Sequence, residues 1–393
     1  MIGDMQKWTP NVAGIIEHAK EIHPKTEIIS RLVSGKVHRS NYETVCIRSR
    51  KLASALEKDG IKKGDVVATL ALNTYRHLEM YYGISGMGAI THTLNFRLHP
   101  EQAVYIINHA QDKVIFCELA FVKILEAIQD KLPFLEKVII LCGQEELPKT
   151  PLKNIISYEQ YIELGDVDYK WPKMQQNDAC ALCYTSGTTG DPKGVVYHHR
   201  GAYLLAQGNA LTASMKKQAI YLWTLPMFHC NGWCFPWTIA AKAGTNICLR
   251  KVTSDSMYSA ISKNKVNYMC GAPIVLGMLI DSKFQDKMKI DYTCKVMTAA
   301  APPPAAVLQT MQEIGFEVTH VYGLTEVYGP CVVCAWDPKW DNLSVEKQAE
   351  IKSRQGVTYL VQEGIRVVNQ KDSSDVPRAV SYTHLTLPTN REV

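Results

Sequence analysis

The segment Tyr184-Thr-Ser-Gly-Thr-Thr-Gly-Asp-Pro-Lys-Gly194 carries the densest set of chemically useful residues in the chain. Thr185, Ser186, Thr188 and Thr189 supply hydroxyls, while Gly187, Gly190 and Gly194 let backbone N–H groups approach a ligand closely. Donors of this kind suit phosphate oxygens. Lys193 adds a positive charge on a flexible stem, suited to a β- or γ-phosphate, and Asp191-Pro192 makes a turn that would aim it. The segment follows an apolar strand and leads into a second short strand and a helix. It is not a Walker A loop, because no Gly-Lys-Ser/Thr occurs anywhere in the chain. No Gly-x-Ser-x-Gly occurs either, so a nucleophile-elbow hydrolase has no support.

Three further segments stand out: Leu225-Pro-Met-Phe-His-Cys-Asn-Gly-Trp233, Thr298-Ala-Ala-Ala-Pro-Pro-Pro304 and Tyr322-Gly-Leu-Thr-Glu326. Taken singly, each has an ordinary reading. Glu326 could be a surface carboxylate, Tyr322 a core aromatic at a strand end, and His229 a satisfied histidine. Taken together, and in this order, the segments resemble the motifs of the adenylate-forming (AMP-binding) enzymes. That superfamily includes acyl- and aryl-CoA synthetases, firefly luciferase and the adenylation domains of peptide synthetases. The resemblance runs from about residue 8 to about residue 380. Ile90–Phe116 and Val318–Pro330 look most like medium-chain fatty acyl-CoA ligases, methylthiopropionyl-CoA ligases and plant acyl-activating enzymes.

The resemblance implies an ATP-dependent acid–CoA ligase. A carboxylate attacks the α-phosphate of ATP, giving an acyl-adenylate and pyrophosphate, and the thiol of coenzyme A then displaces AMP. Thr185, Ser186, Gly187, Thr188, Thr189, Gly190 and Lys193 would hold the β- and γ-phosphates. Thr185 and Glu326 would reach Mg²⁺, which favours one or two carboxylates plus phosphate oxygens. Thr325 would donate to the α-phosphate. Tyr322 would offer a flat face to adenine, with Gly323 beside it and Ala300, Ala301 and Pro302 forming the opposite wall. The family usually has glycine where Ala300 stands. His229 would sit beside the acyl carboxylate and act catalytically with Thr185 and Glu326. Phe228, Trp233, Gly271, Ala272, Pro273 and Gly323 would line the acyl channel, the small residues leaving room for a chain. The partners implied are a carboxylic acid (a fatty acid by the closest resemblance), ATP and CoA. Dimers are common among such enzymes, so a homodimer is a possible assembly, with the oligomeric state left open. Loading of a carrier protein is the competing ligase reading, and a non-catalytic nucleotide-binding fragment is the other.

These residues need a scaffold. Short β-branched runs alternate with helical stretches along the chain, which predicts α/β architecture with mostly parallel sheets covered on both faces. Two such runs predict two stacked α/β subdomains, at residues 1–170 and 171–350, with the polar, proline-punctuated stretch between Gly143 and Asp178 linking them. Ser40 or Asn41 is placed to cap a helix reaching Lys58, which Gly60 would stop. Gly83-x-x-Gly86-x-Gly88 falls within a helical pattern and reads as a close helix contact, not a dinucleotide loop. Residues 351–380 read as the start of a β-barrel subdomain. Residues 381–393 have no partner pattern and read as a non-native tail. Family members continue into a ribose-binding aspartate, a hinge and a small domain with a catalytic lysine, none of which is identifiable here. The fragment is therefore expected to fold but to be poorly active alone.

Composition fits this picture. Apolar residues make up 46% and charged residues 21%, the balance of a globular chain. The net charge of +5 is spread without a basic run, so there is no nucleic-acid footprint. No stretch approaches the roughly 18 apolar residues of a membrane span. The N-terminal residues lack a secretory pattern, so the expected location is the cytosol. The twelve cysteines mostly lie in apolar runs, as core thiols in a reducing compartment would. Two C-x-x-C pairs, Cys180/Cys183 and Cys331/Cys334, raise zinc, but both sit in predicted strands, where residues three apart point to opposite faces.

Overall fold

The computed structural model describes residues 3–32, 35–185, 191–281, 289–369 and 371–376. In chain order its first nine strands are β1 (Glu27–Arg31), β2 (Val37–Asn41), β3 (Val66–Leu70), β4 (Ile90–Thr93), β5 (Val114–Cys117), β6 (Lys137–Ile140), β7 (Ile155–Ser157), β8 (Ala179–Tyr184) and β9 (Gly194–His198). Seven follow: β10 (Ile220–Trp223), β11 (Thr245–Cys248), β12 (Tyr268–Gly271), β13 (Cys294–Thr298), β14 (Phe316–Leu324), β15 (Gly329–Val333) and β16 (Val357–Thr358). They form two sheets, of order β7-β6-β5-β3-β4-β8-β9 and β16-β15-β14-β13-β12-β10-β11-β1-β2. Pairing is parallel except at the margins: β8–β9, β1–β2, β14–β15 and β15–β16 are antiparallel. Apolar strands covered by helices on both faces are what the run of β-branched residues requires. All twelve cysteines are buried as free thiols.

The two sheets do not divide the chain near residue 170. The β1–β2 hairpin joins the sheet built from later strands, with Ile28 opposite Asn246. The β8–β9 hairpin joins the sheet built from earlier strands, with Thr91 opposite Ala181. The stretch expected to link two units instead supplies β7 and the helix Tyr158–Glu163 to the seven-stranded sheet.

Local signals act as the sequence suggests. Asn41 caps the helix Tyr42–Lys58, its side chain accepting the N–H of Thr44 at 2.9 Å. Gly83, in the helix Tyr75–Gly86, lets that helix approach closely, since a Cβ there would lie 2.9 Å from the Ser49 carbonyl oxygen. Among the described residues, those from Gln355 onward form no separate barrel. β16 is a two-residue edge strand on β15, and neither sheet closes among the described residues. Residues 377–393, which include the expected tail, lie outside them.

Glu118 follows β5 at the point where the connections from β3 diverge to either side. Its N–H donates to the Leu70 carbonyl at 2.9 Å, while its Oε2 has no partner among the described residues. Burial pushes its pKa up to about 7, against the opposing pull of Arg76, a Leu72 backbone hydrogen bond and Arg250. A carboxyl raised on folding stabilises the fold below its unfolded pKa and loses that contribution as pH rises through the folded value. Glu118→Gln is therefore expected to gain stability at about pH 8.5, on the order of 3 kcal/mol at most, and to lose the gain by about pH 5. Urea titrations at both pH values check this; a gain of equal size at each would contradict it.

Candidate active site

Strands β10, β12, β13 and β14 run parallel, with Tyr221 opposite Tyr268, Gly271 opposite Thr298, and Thr298 opposite His320. The loops that follow them leave from one edge of the sheet. These loops hold His229, Ala272–Pro273, Ala300–Pro302 and Thr325–Glu326, and Tyr322 lies in the end of β14 just before the last of them. β10 lies between β11 and β12, so the chain turns to opposite sides there. The crevice outside the carboxyl ends of such strands is where open α/β sheets bind ligands.

The loop after β10 has an unusual backbone. Cys230, Asn231, Gly232, Trp233 and Cys234 all have positive φ, from 40° to 65°. Each non-glycine residue in this left-handed region costs about 1–2 kcal/mol, so the surroundings must hold the turn. Asn209 donates to the Trp233 carbonyl at 2.9 Å. Before the turn, buried Asn73 donates to the carbonyls of Trp223 (3.1 Å) and Leu225 (2.9 Å) and accepts the Met227 N–H at 2.8 Å. Tyr81 donates to the Met227 carbonyl (2.6 Å) and Thr93 to that of Phe228 (2.8 Å). Asn73, Tyr81 and Thr93 all belong to the unit around the seven-stranded sheet, which thus acts as a jig for His229. The Phe228 ring is buried, edge-to-face with Phe96 at 4.9 Å. The His229 ring keeps an exposed face; partial burial, then the Arg97 charge, hold its pKa below the usual histidine value, so it is neutral near pH 7.

The segment after β14 meets the same place. Tyr197 of β9 donates its hydroxyl to the Thr325 carbonyl at 2.5 Å and stacks on Tyr328 at 3.9 Å between ring centres. Cys230 Sγ lies 3.3 Å from Thr325 Oγ1 and 3.8 Å from His229 Nε2. Burial first, with the Glu326 charge among the lesser causes, raises the pKa of Tyr197, Cys230 and Tyr322. Glu326 therefore shares one electrostatic neighbourhood with all three. Its carboxylate is exposed and has no ion-pair partner among the described residues.

The β8–β9 hairpin carries the phosphate-loop sequence. The Thr185 N–H donates to the Lys193 carbonyl at 2.9 Å, and the Lys193 N–H to Thr185 Oγ1 at 3.3 Å, closing the base of the loop. Ser186, Gly187, Thr188, Thr189 and Gly190 lie outside the described residues. Lys193 is exposed and without an ion-pair partner among the described residues. Among the described residues this leaves one exposed ammonium at the base of the loop and one exposed carboxylate on the segment after β14, charges of the kinds that a polyphosphate and a divalent cation would each require.

Among the residues expected to line the acyl channel, Gly271 has its Cβ direction occupied: a Cβ there would lie 2.9 Å from Val275 Cβ. Gly323 is filled likewise: the strand bulges between Tyr322 and Gly323, and a Cβ would fall 1.7 Å from the Gly329 carbonyl oxygen. Trp233 is buried, Ala272 is exposed and Pro273 begins the helix Pro273–Leu279. A separate cavity of about 440 Å³, lined by residues including Tyr221, Phe235, Cys270, Met297 and Trp336, contains none of the motif residues.

Ala300, Ala301 and Pro302 form an exposed loop, and Ala300 has φ +86°. An alanine is strained there, whereas a glycine is not. Ala300→Gly is expected to stabilise the fold by about 1 kcal/mol, the strain relieved less the added freedom of the unfolded chain. Thermal unfolding of the two proteins measures this, and a lower midpoint for the variant would contradict it.

Several residues of the site were not singled out in the sequence: Asn73, Tyr81, Thr93, Phe96, Arg97, Tyr197 and Cys230. Asn73 had a local signal, as an asparagine ending an apolar strand, and Cys230 lay unremarked inside the Leu225–Trp233 motif.

Comparison with known proteins gives the family. The AMP-binding enzyme family matches residues 16–381. The chain belongs to the AMP-binding enzymes. It is 39% identical over 397 residues to a peroxisomal acetate/butyrate–CoA ligase of Arabidopsis thaliana, covering 96% of this chain and 68% of the relative. It is 36% identical over 354 residues to a peroxisomal trans-cinnamate:CoA ligase of Petunia hybrida, covering 86% and 62%. The chain thus spans about two thirds of the length of these relatives. Its fold matches the anthranilate CoA ligase AuaEII bound to anthranoyl-AMP, with TM-score 0.78 at 20% identity over 95% of this chain and 68% of that one. It also matches the N-terminal domain of FACL13 from Mycobacterium tuberculosis, with TM-score 0.78 at 22% identity over 94% and 86%. By family, then, the chain is an acid–CoA ligase of the AMP-forming class. Among the described residues no helix is long and apolar enough to cross a membrane. The peroxisomal relatives lend no support to the expected cytosolic location.

Proposed function

We propose that this AMP-binding chain activates a short-chain fatty acid as its acyl-adenylate, using ATP and Mg²⁺, for transfer to CoA. The reading is carried by the meeting of three segments: Tyr197 and Cys230 both contact Thr325, which brings the phosphate-loop hairpin, the His229 turn and Glu326 into one crevice. In that crevice Lys193 and the loop hold the β- and γ-phosphates. Thr325 directs a hydroxyl to the α-phosphate, and Tyr322 with Ala300–Pro302 flanks the adenine. Glu326, with Thr185, holds Mg²⁺, which neutralises phosphate charge when bound. Neutral His229 donates an N–H to the carboxylate that attacks the α-phosphorus as the bond to pyrophosphate breaks.

The short acid is favoured over the medium chain expected from the sequence. Relatives are described as acting on acetate, butyrate, 2-methylpropanoate and trans-cinnamate. The test is calorimetric titration with Mg·ATP and with butyryl-sulfamoyl-adenosine, alongside pyrophosphate exchange over a panel of acids. The adenylate mimic is expected to bind at least about tenfold tighter than ATP. Absence of binding to both would sink the proposal, and a preference for octanoate over butyrate would overturn the choice of acid.

A further inference from the structure

Tyr184 is the last residue of β8 and immediately precedes Thr185, where the phosphate loop departs. Its phenol oxygen lies 2.6 Å from Nδ1 of His109. His109 stands in the last turn of the helix Pro100–Ala110 and stacks on Tyr105, with 5.5 Å between ring centres. The Tyr184 ring also faces His92 of β4 at 5.2 Å. His92 in turn binds Asp112, Nδ1 to Oδ2 at 2.8 Å, with both side chains fully buried. Burial, then the Asp112 charge and Tyr105, push the Tyr184 phenol up, so it keeps its proton and its hydroxyl shares a hydrogen bond with His109. Four residues from β4 and the end of one helix therefore grip the strand from which the loop leaves, and none of them belongs to a motif that contacts nucleotide.

We infer that His109 is a positioning residue for the nucleotide. By hydrogen-bonding the Tyr184 hydroxyl it fixes the end of β8, and so the placement of Thr185 and of Lys193, whose backbone pairs with it. The inference rests on the ATP-binding reading above. One bond that positions this end should cost ligand affinity once, whichever of its partners is removed.

The experiment titrates Mg·ATP and butyrate, by calorimetry, into the wild type, His109→Ala, Tyr184→Phe, the double variant and His109→Asn, with thermal midpoints in parallel. Each single variant is expected to weaken Mg·ATP binding about 5- to 10-fold, and the double variant no further than the worse single one. His109→Asn, which keeps an acceptor near the Nδ1 position, should recover most of the loss. Butyrate affinity should not change. Additive losses, unchanged Mg·ATP affinity, or equal weakening toward butyrate would overturn the inference while leaving the ATP reading intact. No Mg·ATP binding by the wild type would instead overturn the ATP reading, and this one with it.

Discussion

Asn73→Ala is expected to lower the unfolding free energy by about 3–4 kcal/mol, a large effect for one polar side chain. Asn73 is buried and uses its whole amide. Both its donors go to the carbonyls of Trp223 and Leu225, and its oxygen takes the Met227 N–H. Truncation would leave three backbone groups buried without partners, at about 1–3 kcal/mol each, partly relieved by entering water. Asn73→Asp should do nearly as much harm, because it keeps the acceptor, loses both donors and buries a charge. Urea denaturation monitored by tryptophan fluorescence measures both. A loss under about 1 kcal/mol would show that the loop before His229 is held by other means. Because that loop leads into the left-handed turn, surviving Asn73→Ala protein should also activate its acid poorly.

Glu326→Gln is expected to do the reverse, costing activity and sparing the fold. The side chain is exposed and has no ion-pair partner among the described residues, so its loss should shift stability by less than about 0.5 kcal/mol. If it anchors Mg²⁺ beside the phosphates, acid-dependent pyrophosphate exchange should fall about 100-fold or more, equivalent to roughly 3 kcal/mol of lost stabilisation. Raised Mg²⁺ should restore part of the rate, and Glu326→Asp should keep more activity than the amide. Unchanged exchange in Glu326→Gln would remove the carboxylate from the metal site, and a loss insensitive to Mg²⁺ would give it another role.

Much of the scaffold was legible because its signals are local. The helix Tyr42–Lys58 is announced by the cap at Asn41, and the parallel strands by short apolar runs between helical stretches. What could not be read is which strand lies beside which. β1 and β2 are brief and partly exposed, and β1 joins the sheet through a strand far along the chain, so no nearby residue marks where the hairpin docks. The site divides in the same way. Thr185, Lys193, His229, Tyr322, Thr325 and Glu326 stood out through their motifs, and the segments that carry them do meet. Asn73, Tyr81, Thr93 and His109 act through partners 75 to 154 residues away, and a single sequence does not show such pairings. The small residues carry a second meaning: at Gly271 and Gly323 the Cβ direction is already occupied by neighbouring atoms, so close packing alone accounts for glycine there.

The exchange of hairpins between the sheets has a temporal side. Tyr42, just beyond β2, hydrogen-bonds the Gly244 carbonyl across 202 residues of chain. At a synthesis rate of about 5–20 residues per second, the earliest strands emerge roughly 10–40 s before the neighbour they will lie against. During that interval Ile29, buried in the finished protein in a cluster whose other members all come from residue 220 onward, has no native surface to cover it. A nascent chain of this design would then depend on holding factors near the ribosome, and refolding from denaturant should be slow and sensitive to protein concentration.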